Sequence, residues 1–135
     1  MSHRPADQVG TPDDLLGSVE AILAGEPDLI ANAANVAALL FEALPRINWA
    51  GFYFLRDDQL VLGPFQGRAA CTRIPLGKGV CGTAATSRET IVVADVHAFP
   101  GPHAYHPPPA PTIVVPSPPD HPLIGVRRLY PSSPP

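Results

Sequence analysis

Proline is distributed so unevenly along the chain that it limits where regular structure can form. Thirteen of the nineteen prolines fall from Pro100 onward, and only six precede that position. Proline has a fixed φ and no backbone N–H to donate, so it is confined to the edges, bulges and connections of a sheet. We therefore expect an incomplete or irregular C-terminal third, in which residues 112–115 and 123–126 are short candidate strands.

The length and charge of the chain favour one domain that binds neither nucleic acid nor membrane. The 135 residues can bury a single core, and the formal net charge of −3 includes no basic cluster. No apolar run approaches the roughly 18 residues that a membrane span needs, and the start of the chain is too acidic for a signal peptide. We expect a cytoplasmic protein with a frayed segment at 1–12 and one domain at 13–135, proline-rich and divergent from about residue 102.

Two helices are predicted in the first 44 residues. The first has Thr11 or Asp13 as its N-cap and ends before Pro27, and the second follows the N-cap Asp28 and runs through Leu44. Each carries an apolar stripe with helical spacing. The stripes are Leu15, Leu16, Val19, Ile22 and Leu23 in the first helix, and Leu29, Ala33, Val36, Leu39, Leu40 and Ala43 in the second.

From residue 47 the pattern changes to that of β-strands, because aromatic and other β-favouring residues dominate. The predicted strands are residues 47–55, 60–65, 70–74 and 89–94, and the predicted short helix is 79–88. This order of elements predicts an α+β fold with a largely antiparallel central sheet and flanking helices, most simply on one face of the sheet.

The motif Gly77-x-Gly79-x-x-Gly82 matches a dinucleotide-binding pattern, but its surroundings do not. That pattern follows an apolar parallel strand and precedes an acidic residue by about 20 positions. Here Arg73 and Pro75 lie just upstream, and Asp95 follows too soon. We interpret the glycines as a tight turn that opens the predicted short helix, and no cofactor is expected.

The two cysteines of the chain lie on either side of this glycine turn. A helix N-terminus and a nearby lysine favour the thiolate form, so Cys81 beside Lys78 is a candidate reactive thiol. A buried core position is about equally consistent with its surroundings, because cysteine is among the most buried residue types. Cys71 has the same two interpretations. Their spacing does not establish whether the two thiols pair.

Trp49 and Tyr53 lie four residues apart on one predicted strand, so their side chains project to the same side. That side is either the core, which is the default for aromatic residues, or the wall of a small-ligand pocket.

Four histidines in the second half of the chain invite a metal-site hypothesis. These are His97, His103, His106 and His121. Their spacing matches no compact zinc pattern, and three of them lie in the proline-rich part. We therefore predict no metal site.

Taken together, five motifs resemble those of the free methionine-(R)-sulfoxide reductases, which are single GAF domains. The motifs are residues 47–53, 62–67, 71–74, 77–84 and 95–101. The resemblance covers about residues 12–101 almost without gaps, and weaker similarity at residues 113–116 and 123–126 continues it in the same register.

The resemblance implies a GAF fold and reduction of the R-sulfoxide of free methionine. In the family a thiolate attacks the sulfoxide sulfur and becomes a sulfenic acid, a second cysteine condenses with it, and thioredoxin reduces the disulfide. By motif match, Cys71 is the resolving cysteine and Cys81 the further family cysteine. Trp49 and Tyr53 line the pocket for the methionine side chain. The family often forms dimers, so a homodimer is also implied.

The chain departs from the family pattern at positions that carry the chemistry. Tyr105 stands where the family has its nucleophilic cysteine. Thr112, Arg128 and Tyr130 stand where acidic residues help to bind the substrate's amino group. A phenol cannot replace a thiolate that attacks sulfur, and two neutral residues with an arginine cannot recreate an acidic site. We therefore predict impaired activity.

Two alternatives follow from these departures. The chain is either an impaired reductase or a non-catalytic GAF module that binds a small molecule or a partner. The changes cluster after Gly101, where proline becomes frequent. This clustering fits a corrupted reading frame as well as genuine divergence.

Overall fold

The computed structural model describes residues 11–44, 46–93 and 112–117, together with the backbone of residues 123–128. The helices are α1 (Pro12–Leu23), α2 (Leu29–Ala43) and α3 (Gly79–Ser87). The strands are β1 (Ile47–Arg56), β2 (Gln59–Gly67), β3 (Arg73–Pro75), β4 (Ile91–Val93), β5 (Thr112–Val115) and β6 (Leu123–Arg128). No helix in these ranges is long and apolar enough to cross a membrane.

The six strands form one antiparallel sheet in the order β3-β2-β1-β6-β5-β4. This confirms the predicted α+β class with an antiparallel central sheet. Both candidate strands of the proline-rich third are present, and β6 lies between β1 and β5. Within the part that the structure describes, the C-terminal third therefore supplies two regular inner strands, and its prolines lie outside them.

The first helix begins with a capping box. The N–H of Asp14 donates to Thr11 Oγ1 at 3.1 Å, and the N–H of Thr11 donates to Asp14 Oδ2 at 3.0 Å. Of the two caps considered, Thr11 is the one used, and Asp28 caps α2 as predicted. The expected frayed segment 1–12 is thus wrong for Thr11 and Pro12, because capping fixes them, and residues 1–10 lie outside the described residues.

Helices cover both faces of the sheet, so the expectation of one covered face is wrong. Ala33 and Ala37 of α2 pack on Phe52 and Phe54, and we call this group the α2-side core. On the opposite face lies the α3-side core, comprising Trp49, Tyr53, Leu60, Val80, Ala84 and Val114. Successive strand residues point to opposite faces, and β1 is buried without interruption from Trp49 to Phe54. An unbroken buried run of this kind requires cover on both sides.

Candidate functional site

Three aromatic side chains stack on the α3-side face of the sheet. Trp49 and Tyr53 lie on the same face, as predicted, with ring centroids 6.1 Å apart and planes 25° from parallel. Phe65 of β2 stacks on the other side of the indole, at 5.5 Å and 16°. We call Trp49, Tyr53 and Phe65 the aromatic wall. The sequence analysis missed Phe65.

Two glycines make room for the indole of this wall. A Cβ at Gly51 would contact Phe65 Cβ and would lie 2.8 Å from Trp49 Cη2. Gly67 has a φ of +127°, which favours glycine, and a Cβ there would lie 2.9 Å from Trp49 Cδ1. The indole therefore lies across two backbone segments that carry no side chain, and its position is sterically fixed.

The wall is connected to Cys71 by a hydrogen bond. The hydroxyl of Tyr53 donates to the carbonyl oxygen of Cys71 at 2.8 Å. The thiol of Cys71 is free and half-buried, and it donates to the carbonyl oxygen of Arg73 at 3.0 Å. Two hydrogen bonds thus hold Cys71 at the sheet, one accepted by its backbone carbonyl and one donated by its thiol.

The predicted strand at 70–74 is wrong at its start, because Cys71 lies in a loop. β3 begins at Arg73 and pairs with only three residues of β2. One further bond, from the N–H of Leu62 to the carbonyl oxygen of Thr72 at 2.9 Å, continues past the strand. Cys71 lies one residue before Thr72, outside the paired part of the strand. Its side chain therefore does not have the alternating orientation that a strand would impose.

The glycine motif opens helix α3, which confirms its interpretation as a turn. Gly77 and Gly79 have φ values of +79° and +68°. The N–H of Gly77 donates to the carbonyl oxygen of Gly82 at 2.9 Å, and a Cβ at Gly82 would lie 2.5 Å from the carbonyl oxygen of Pro75. The glycines are thus used for close backbone packing at the start of the helix.

Cys81 lies in the first turn of α3, is half-buried and forms no disulfide. It packs against the α3-side core, to which Trp49 and Tyr53 belong. Cys71 is thus connected to the aromatic wall by a hydrogen bond, whereas Cys81 packs against the core cluster that includes two members of the wall. The position of Cys81 fits both interpretations, the core residue and the reactive thiol, because it is partly buried in the core and also lies at the start of a helix.

The segment that holds both cysteines is basic. Between Gln59 and Arg88 the chain has no acidic residue. It has four basic residues there, Arg68, Arg73, Lys78 and Arg88, and all four are exposed. Their field favours the approach of anionic molecules to this side of the protein. Within the described ranges, no group of three or more His, Cys, Asp or Glu residues is placed to hold a metal ion.

Thr112 shares a row of the sheet with Trp49, because Arg127 of β6 pairs with Thr112 on one side and with Trp49 on the other. Thr112 is buried, and its hydroxyl has no hydrogen-bond partner among the described residues. The indole N–H of Trp49 is also buried and has no partner in that part of the chain. Two unsatisfied polar groups therefore belong to one row of the sheet.

Several predicted positions fall outside the described residues. These are Tyr105, Tyr130, the four histidines and the motif at 95–101. Arg128 is described by its backbone, which pairs with Ile47.

The antiparallel sheet with helices on both faces is the arrangement of a GAF domain. The structure of the reduced fRMsr of Staphylococcus aureus matches with a TM-score of 0.80 and 39% identity, covering 95% of this chain and 82% of that one. The free methionine-R-sulfoxide reductase of Neisseria meningitidis in complex with its substrate matches with a TM-score of 0.81 and 38% identity, covering 95% and 79%. The chain belongs to the free methionine-R-sulfoxide reductase family and has the GAF fold.

Similarity to a curated relative covers about two thirds of the chain. The free methionine-R-sulfoxide reductase of Escherichia coli K12 is 56% identical over 88 residues, which are 65% of this chain and 53% of the relative. The chain thus spans about half the length of curated relatives that it matches. No family model matches the chain.

Proposed function

We propose that this chain binds free methionine-(R)-sulfoxide and carries the resolving part of a sulfoxide-reducing site, with impaired turnover. The observation that carries the proposal is the connection of the aromatic wall to Cys71 by the 2.8 Å hydrogen bond of Tyr53. A stacked aromatic surface suits the apolar methylthio end of the ligand. A thiol held beside it suits chemistry at the ligand's sulfur.

The family's chemistry assigns a role to each residue. A cysteine thiolate attacks the sulfoxide sulfur, the sulfoxide oxygen passes to the cysteine sulfur with net uptake of one proton, and methionine leaves while the cysteine becomes a sulfenic acid. Cys71 is the resolving thiol, which forms a disulfide with that sulfenic acid and releases water. Thioredoxin, as the dithiol reductant, returns the disulfide to two thiols. Trp49 and Tyr53 contact the ligand, and Cys81 is the further thiol beside them.

Impairment follows from the residue at the nucleophile's position. Tyr105 offers a phenol, which has no sulfur to take up the oxygen or to form a disulfide. Thr112, Arg128 and Tyr130 replace the acids expected to bind the amino group, which weakens recognition of the cation. We propose accordingly that binding is retained in part and turnover is low. We further propose that the protein is cytoplasmic and forms homodimers. It has one domain at 13–135 and uses no cofactor or metal.

Thioredoxin-coupled turnover of free methionine-(R)-sulfoxide tests the impairment directly. Tyr105→Cys should raise turnover at least about 100-fold over the parent chain, the low end of what loss of a nucleophile costs an enzyme. Tyr105→Ser is the matched control, because it removes the phenol without supplying a thiol, and it should stay at the parent level. Parent turnover equal to that of Tyr105→Cys, and abolished by Cys81→Ser, would show that Cys81 is the nucleophile and that the proposed impairment is wrong.

Binding can be measured separately, because Trp49 is the one tryptophan of the chain. Methionine-(R)-sulfoxide should change its fluorescence saturably, and methionine-(S)-sulfoxide is the matched control ligand. Saturable binding without turnover is the result expected for a non-catalytic GAF module. No response of Trp49 to either stereoisomer would contradict the proposed ligand.

A further inference from the structure

The ring and the hydroxyl of Tyr53 make contacts that face in different directions. Its ring stacks on Trp49, and its hydroxyl donates to the carbonyl oxygen of Cys71. The residue is 5% exposed, and it lies on β1, near the middle of the sheet order. A buried side chain on a central strand has little freedom, so whatever it binds is held relative to the sheet.

Cys71 needs such a tie because the strand on its C-terminal side does not include it. β3 starts two residues later, and the nearest ladder bond is the one accepted by Thr72. The thiol donates to the carbonyl oxygen of Arg73, a bond within its own turn. Arg73 is the first residue of the short edge strand β3, so this bond ties Cys71 only to the edge of the sheet. The bond from Tyr53 ties the peptide of Cys71 to the inner strand β1.

We propose that Tyr53 is a positioning residue for Cys71, which holds the peptide of this cysteine against the aromatic wall and so limits the exposure of its thiol. The role extends beyond contact with a ligand, because the hydroxyl is committed to the cysteine's backbone. The relevance to turnover rests on the proposed function, in which Cys71 is the resolving thiol. The positioning itself is independent of any ligand.

The test is the alkylation rate of each thiol by iodoacetamide, followed by intact-protein mass spectrometry. Cys81→Ser leaves Cys71 as the one cysteine, and Cys71→Ser leaves Cys81. In the first background Tyr53→Phe should raise the alkylation rate about fivefold, the factor that corresponds to the ordinary net contribution of one hydrogen bond. In the second background the same change should leave the rate of Cys81 within about twofold, because phenylalanine retains the ring that packs in the core.

Phe54→Leu is the control for general loosening of the sheet. Phe54 is the next residue of β1, is similarly buried, and belongs to the α2-side core. The Phe54→Leu substitution should leave the alkylation rate of Cys71 unchanged. An unchanged Cys71 rate in Tyr53→Phe, or an equal rise in Phe54→Leu, would overturn the proposal.

A second measurement separates this inference from the proposed function. Saturating methionine-(R)-sulfoxide should slow the alkylation of Cys71 in the chain that retains Tyr53. In the Tyr53→Phe variant the ligand should slow this alkylation to a smaller extent. A fivefold rise in Tyr53→Phe without any effect of the ligand would support the positioning role and contradict the proposed ligand.

Discussion

Trp49 and Phe65 stack almost in parallel on neighbouring strands, with 5.5 Å between their ring centroids. Such a pair contributes about 0.5–1.5 kcal/mol beyond the apolar area that it buries. The arrangement depends on Gly51, the residue of β1 that pairs with Phe65. Any side chain at this glycine would occupy the space between the two rings.

Gly51→Ala should therefore lower the free energy of unfolding by about 1–3 kcal/mol, since the added methyl overpacks a filled site. The clash involves the indole of Trp49 and the Cβ of Phe65, and the latter cannot move without shifting its strand. Urea denaturation followed by far-ultraviolet circular dichroism measures the change.

Gly17→Ala is the matched control for the same substitution. Gly17 lies inside α1, and a Cβ there would meet no atom within 4 Å. Because alanine favours a helix interior over glycine by about 1 kcal/mol, this variant should be more stable than the parent. A Gly51→Ala variant as stable as Gly17→Ala would contradict the packing described for the indole.

Thr112→Val should keep or raise stability. The hydroxyl of Thr112 is buried and has no partner within the part of the chain that the structure describes. Such a group costs about 1–3 kcal/mol of desolvation, which the isosteric valine avoids. Thr86→Val is the control, because Thr86 Oγ1 donates to the carbonyl oxygen of Gly82 at 2.9 Å, and its loss should lower stability by about 1 kcal/mol. Thermal unfolding of both variants distinguishes the two cases. A less stable Thr112→Val would indicate a bound partner for that hydroxyl.

Lys78→Gln and Arg73→Gln should each slow the reaction of the thiols with the anionic disulfide DTNB. Each substitution removes one positive charge from the segment 59–88, which has no acidic residue. We expect the rate of reaction with DTNB to fall about twofold at about 10 mM salt, and the difference to disappear near 0.5 M, where salt screens the charges. Reaction with neutral iodoacetamide should not change. Arg56→Gln, which removes a charge that lies over the ring of Phe54, is the matched control. Equal effects on both reagents would argue against an electrostatic cause.

Thr11→Ala should destabilise the chain by about 1 kcal/mol, as expected for the loss of an N-cap. The backbone N–H of Asp14 then loses the oxygen to which it donates. Thr11→Ser retains that oxygen and should match the parent in urea denaturation. If Thr11→Ala also matches the parent, the capping box contributes nothing to stability.

The sequence was most informative where the determinants of structure are local. The cap at Asp28, the strand that carries Trp49 and Tyr53, and the glycine turn before α3 were all predicted, since each depends on residues within one turn or strand. The resemblance of the motifs likewise predicted the GAF fold that the solved structures confirm.

Phe65 was missed because its position depends on an irregularity between two strands. The turn at Asp57 and Asp58 sets a register that, continued without interruption, would place residue 64 opposite Gly51. A bulge between Gly51 and Tyr53 shifts the partner to Phe65. Gly63 and Pro64 are residue types that mark such bulges, but the shift of one residue can be seen only once the strands are paired.

The loop position of Cys71 and the cover on both faces of the sheet depend on tertiary contacts. Apolar character around Cys71 favoured a strand, yet the edge strand pairs with only three residues of β2. Similarly, the alternation of side-chain directions along β1 does not reveal where α2 and α3 pack on the sheet. Local propensity carries no information about which elements meet.

The position of β6 in the sheet also has a consequence for how the chain acquires its structure. β1 pairs with β6, as in Ala50 with Val126, although β1 is synthesised long before β6. One edge of the strand that carries the buried run from Trp49 to Phe54 therefore lacks its partner while much of the domain is translated. Bringing such distant segments together is entropically costly and slow, and an open edge in the meantime can pair with another nascent chain. Yield of the native protein should therefore depend on the rate and temperature of synthesis more than its final stability suggests.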